Sequence, residues 1–130
     1  MNWIKNLFGI KTREEIERII SSRTEYVNDQ LRDYIFGRNR SSSGLKSLLD
    51  HINKTIKLKP KYGEPYEVRA RIYYNILEKD LNANRDMINK AISDIETAQK
   101  LGTRKGNRFD SLDTIRGTLD LMLFQVKNGL

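Results

Sequence analysis

His51 beside Asp50 is the first place to look for chemistry, because an imidazole next to a carboxylate can move protons near neutral pH. His51 is the only histidine, and adjacent residues on a helix point in different directions, so no acid, base and nucleophile assemble around it. A solvated or edge-packed imidazole is expected instead. Glu14, Glu15 and Glu17 crowd one short stretch, where carboxylates favour the positive end of a helix and need no catalytic role. The run from Gly37 to Gly44 lacks the lysine and hydroxyl order of a phosphate-cradling loop, and metal-ligand spacing is missing. With no cysteine, thiolate chemistry, a disulfide and a cysteine-type zinc site all drop out. The reading is of a chain without catalytic residues, metal or cofactor. Missing cysteines suit a reducing compartment, so a cytoplasmic location is expected.

Binding is the remaining class of chemistry. The net charge of +7 is uneven: between residues 45 and 64 five lysines face only Asp50 and Glu64. Lys54, Lys57, Lys59 and Lys61, followed by Tyr62, could neutralise phosphates and stack a base, which makes nucleic acid or another polyanion one expected partner class. The same lysines also complement a helix C-terminus and keep the surface soluble. Arg38 and Arg40, with Arg104, Lys105 and Arg108, would extend a basic surface only if the fold gathers them. A second feature is the amphipathic start, Trp3, Ile4, Leu7 and Phe8 with Lys5 and Lys11, which fits weak peripheral membrane contact or a cap over the end of a helical stack. Its apolar run is too short for a secretory signal, and no stretch reaches the roughly 20 apolar residues of a membrane span.

The elements that position these residues read as helices. The 130 residues are 38% hydrophobic and 32% charged with two prolines, which suits one helical domain over residues 1–130. Ile16, Ile19, Ile20, Val27, Leu31, Tyr34 and Ile35 recur at helical spacing behind a capping box at Thr12 to Glu15, predicting a long first helix over 13–36. The Gly37 to Gly44 loop interrupts it, with Ser43 as the expected cap of a second helix. That helix carries Leu45, Leu48, Leu49, Ile52 and Ile56 and stops near Leu58, ahead of Pro60. Pro65 opens a third helix with Tyr66, Ala70, Tyr73 and Leu77 on one face, ending about Lys79. A fourth carries Ile88, Ala91, Ile92, Ile95 and Ala98 and closes at Gly102. The fifth starts near Phe109 or Asp110, carries Leu112, Ile115, Leu119, Met122 and Val126, and ends before Gly129. No segment shows sustained two-residue alternation, so the fold class is all-α.

An internal repeat with an offset of 43 residues runs through this pattern. Leu48, Ile52, Thr55, Leu58, Pro60, Gly63 and Tyr66 align with Ala91, Ile95, Ala98, Leu101, Thr103, Gly106 and Phe109. The small residues Thr55 and Ala98 would let helices approach closely, and Gly63 and Gly106 would each allow a sharp reversal.

On these residues the chain resembles the tetratricopeptide repeat family. Tyr66, Ala70 and Tyr73 match its first helix; Ala91, Ile95, Ala98 and Leu101 match its second, as do Leu48, Ile52, Thr55, Leu58 and Pro60 one repeat earlier. The resemblance covers 45–109, with helix 110–127 following. It departs at the offset, which exceeds the family's 34, at Thr103 in place of proline, and at Asp113 and Arg116 in place of small and aromatic residues. The nine extra residues fall between Tyr73 and Ala91, where they lengthen both helices or enlarge their turn. The resemblance implies a scaffold for a protein or peptide, with a groove lined by first helices. That would project Glu67, Arg71, Tyr74 and Asn75, joined by Asp110 and Thr114 from the following helix. Since stacked repeats need their ends covered, the long terminal helices cap the stack within a monomer, or an exposed face forms a homodimer.

Overall fold

Thr12 begins the first helix as a capping residue: its side chain accepts a hydrogen bond from the Glu15 backbone N–H at 3.2 Å, satisfying one of the unpaired donors of the first turn. The computed structural model describes residues 12–37, 42–79 and 84–129. Five helices run through them: α1 (Arg13–Ile35), α2 (Ser42–Ile56), α3 (Glu64–Lys79), α4 (Arg85–Leu101) and α5 (Leu112–Lys127). No strand occurs among the described residues, so the protein is all-α.

Helix ends follow local chemistry, with two corrections to the sequence reading. Pro60 stops α2, and the chain turns out through Lys59 at φ 58°, with its N–H on the Ile56 carbonyl at 2.9 Å. Asn84 caps α4 through the Asp86 N–H at 2.8 Å, and Gly102 closes it at φ 74°. However, Ser43 is not the cap of α2, because the helix already begins at Ser42 and takes Ser43 and Gly44 into its first turn. Leu45, only 1% exposed, anchors that turn in the core, and such burial outweighs the low helix propensity of serine and glycine. The fifth helix starts later than predicted, at Leu112, after tight turns that join Leu112 to Phe109 and Asp113 to Asp110. Ser111 makes no capping bond; its hydroxyl instead accepts from Arg71 Nη2 at 2.9 Å.

Each helix packs on the next, and in addition α1 packs on α3 and α3 on α5. Among the described residues no Cα of α2 comes within 8 Å of one in α4. Odd-numbered helices therefore form one layer and even-numbered helices the other. Two apolar clusters share α3: Val68 and Ile72 join Val27, Leu31, Leu45 and Ile52, whereas Ala70, Tyr73 and Leu77 join Ile88, Ala91, Ile95 and Leu119. Leu49 packs against both clusters, making the apolar core continuous. α3 runs six residues beyond Tyr73, and α4 begins six residues ahead of Ala91.

The two repeat glycines turn out to do different things. A Cβ on Gly63 would lie 2.5 Å from the Ala98 carbonyl oxygen and 2.6 Å from the Phe109 ring. Gly63 is therefore a point of close approach, where its N–H donates to the Gly102 carbonyl at 2.7 Å. Gly106 instead sits at φ 82° with nothing near its Cβ position, so only there does glycine serve the backbone reversal. Thr103, 43 residues after Pro60, organises that loop by accepting the N–H groups of Lys105 (3.2 Å) and Asn107 (2.9 Å).

Candidate functional site

The seam between α1 and α3 carries the main concavities of the odd-numbered layer. Near its start, Ser21, Glu25 and Asn28 of α1 face Glu64 and Glu67 of α3 around a hollow of about 210 Å³ that Tyr62 and Arg104 also border. Next, Asn28, Arg32, Ile35 and Phe36 face Glu67 and Arg71 around about 350 Å³. Finally, Tyr34 and Ile35 meet Asn75, Glu78 and Lys79 around about 230 Å³. Asn28 and Glu67 belong to the first two hollows and Ile35 to the last two, so the three form one groove. Low numbers meet low numbers throughout, which makes α1 and α3 parallel. The pairs Ser21 and Glu64, Asn28 and Arg71, and Ile35 and Glu78 each share a hollow, and each pair is 43 residues apart. The repeat offset therefore also relates α1 to α3.

Of the six groove residues expected from sequence, three line this seam. Glu67 and Arg71 pair at 3.3 Å one turn apart. Burial raises the Glu67 pKa above the ordinary value, with the Arg71 charge opposing the shift. Asn75 Nδ2 donates to the Arg71 carbonyl at 2.8 Å, which turns its side chain along the helix. Tyr74 lies on the α5 side, partly buried against the second cluster. Its pKa is raised, first by its hydrogen bond to Glu78 and next by burial, with a bond to Thr118 opposing. Asp110 and Thr114 line none of these hollows. Asp110 is an exposed carboxylate 3.9 Å from Arg108, and Thr114 is an exposed residue whose carbonyl accepts from Thr118 at 3.3 Å.

Behind the groove, an ion pair that sequence reasoning missed ties three helices together. Arg69 Nε and Nη2 donate to the two oxygens of Asp94 at 2.7 Å each, while Nη1 donates to Asn53 Oδ1 at 3.1 Å. Asp94 is 3% exposed; burial pushes its carboxyl pKa up, against the pull of Arg69. Gln99 is a second missed device, its amide accepting from the Phe109 N–H at 3.0 Å and donating to the Phe109 carbonyl at 2.5 Å.

The lysine cluster does not converge on one concavity. Lys54 and Lys57 border a hollow on α2 together with Asp50 and Arg69, but Arg69 is occupied by Asp94 and Asn53. Lys59 and Lys61 are exposed and line no such hollow; the Lys59 carbonyl accepts from Arg13 at 2.9 Å. The Arg104 guanidinium meets Ser21 and the Tyr62 ring while its backbone N–H donates to Glu64, and the Arg108 guanidinium pairs with Asp113. Arg38, Arg40 and the segment bearing Trp3, Lys5 and Phe8 lie outside the described residues. The exposed His51 ring stands edge-on to Tyr26, centroids 5.7 Å apart. Among the described residues no group of three or more histidine or acidic side chains could hold a metal, and no helix is long and apolar enough to cross a membrane. No family model, curated protein or solved structure matches the chain.

Proposed function

We propose that this chain is a non-enzymatic scaffold of tetratricopeptide-like helical hairpins that holds an extended peptide segment of a protein partner along the α1–α3 seam. The observation that carries this reading is the run of three joined hollows between two parallel helices related by the repeat offset. Ser21 to Ile35 is about 21 Å of helix at roughly 1.5 Å per residue, enough for about six residues of extended chain. The groove offers both hydrogen-bonding and apolar contacts: Asn28, Glu67, Arg71 and Asn75 are polar, while Ile35 and Phe36 are 41% and 69% exposed. That mixture suits peptide recognition, in which side-chain pockets supply selectivity. The Tyr34 hydroxyl, buried at the far end and without a hydrogen-bond partner among the described residues, adds an unsatisfied group to the groove wall.

The test is selection from a displayed random-peptide library against the whole chain, followed by titration of an enriched peptide by fluorescence anisotropy. Asn28→Arg and Arg71→Glu are expected to weaken binding at least about tenfold, the loss of one good polar contact. A Lys57→Glu, Lys59→Glu, Lys61→Glu triple variant is expected to bind like wild type. Failure to enrich any peptide, or loss of binding only in the lysine variant, contradicts the proposal.

A further inference from the structure

At about 100° per residue, Gly117, Leu121 and Phe124 fall within about 60° of one another on α5, on the side opposite the buried Leu119. Leu121 is 57% and Phe124 56% exposed, and a Cβ on Gly117 would meet nothing within 4 Å. No described helix covers this stripe. Asp113, Asp120 and Lys127 lie seven residues apart along one flank, all exposed. Asp120 already holds Arg116 at 3.2 Å, and Asp113 holds Arg108 at 3.0 Å and Gln99 at 3.3 Å, both through Oδ1.

We infer that this stripe is a self-association face on which α5 of a second copy lies antiparallel. The stripe is self-complementary. A twofold axis near Asp120 and Leu121 sets Phe124 of each copy over the open space at Gly117 of the other. The same axis sets Lys127 of each copy against Asp113 of the other, so shape and charge agree on one register. Residues directly on the axis do not oppose this pairing, because Leu121 meets its own counterpart and Arg116 compensates Asp120. None of the residues lining the α1–α3 seam takes part, so the inference stands apart from the peptide reading.

Sedimentation equilibrium of the purified full chain tests it. The weight-average mass of the wild type is expected to climb from 15.2 kDa toward twice that between about 1 and about 500 µM, as suits a small single-helix contact. Gly117→Leu fills open space and leaves the monomer folded, yet is expected to weaken association at least tenfold, as is Phe124→Ser. Lys127→Glu is expected to weaken it, and adding Asp113→Lys to restore it. A wild type that stays monomeric throughout overturns the inference, whether or not Leu121 and Phe124 then mediate binding to anionic vesicles. So does association that survives Gly117→Leu, or charge reversal that the second reversal does not rescue.

Discussion

Arg69 and Asp94 stand 25 residues apart in sequence, yet two hydrogen bonds of 2.7 Å join them behind the groove. Because α2 and α4 do not meet directly, this pair and Asn53 form the polar link across the even-numbered layer. Removing one partner leaves a charge where little water reaches. Asp94→Asn is therefore expected to cost about 3 kcal/mol, read from urea unfolding. Replacing both, as Arg69→Met with Asp94→Leu, is expected to recover most of that loss. A double variant no more stable than Asp94→Asn would show that the site needs the ion pair itself.

The glycines separate in the same assay. Gly63→Ala forces a methyl into the Ala98 backbone and the Phe109 ring and is expected to cost about 2–3 kcal/mol. Gly106→Ala meets no neighbour but holds a left-handed backbone, at a cost of about 1 kcal/mol. Gly117→Ala, inside α5 and facing open space, is expected to gain up to about 1 kcal/mol. Equal losses at 63 and 106 would mean that the two positions share one role.

Burial raises the carboxyl pKa of Glu67. Just above its ordinary value of 4.5, this group in the folded chain then holds more protons than in the unfolded chain. By linkage, Glu67 reduces stability as pH rises through that window and favours folding on acidification. Glu67→Gln is expected to remove this contribution while sparing the fold. Melting temperatures of both proteins between pH 4 and pH 7, within about the acid-titration range, check it. Parallel curves would contradict the assignment.

Much of the architecture was legible because its signals are local. Thr12, Pro60, Asn84 and Gly102 start or stop helices through their own backbone chemistry, and the apolar stripes name the buried faces. The start of α2 was not, since Leu45 is fixed by contacts from other helices and draws Ser42 to Gly44 into the helix. The Arg69–Asp94 pair and the Gln99 clasp on Phe109 were hidden for the same reason: each needs two helices already in place. Half of the groove was also missed. Glu67, Arg71 and Asn75 were visible on α3, but α1 read as a cap. Applying the 43-residue offset backward, from Glu64 to Ser21, from Arg71 to Asn28 and from Glu78 to Ile35, would have found it. By the 43-residue offset, the polar residues Asp113 and Arg116 stand where α3 has Ala70 and Tyr73 packed on α4. Arg116 instead pairs with Glu96 of α4 and Asp120 of α5.

The central claim, that the α1–α3 seam receives a peptide, is tested most directly by amide chemical-shift mapping of the labelled chain during titration with a library-selected peptide. Shifts concentrated at residues 21–36 and 64–78, saturating with the affinity measured by anisotropy, are the expected result. Shifts confined to residues 54–61, or spread over α5 with the seam unmoved, would contradict it.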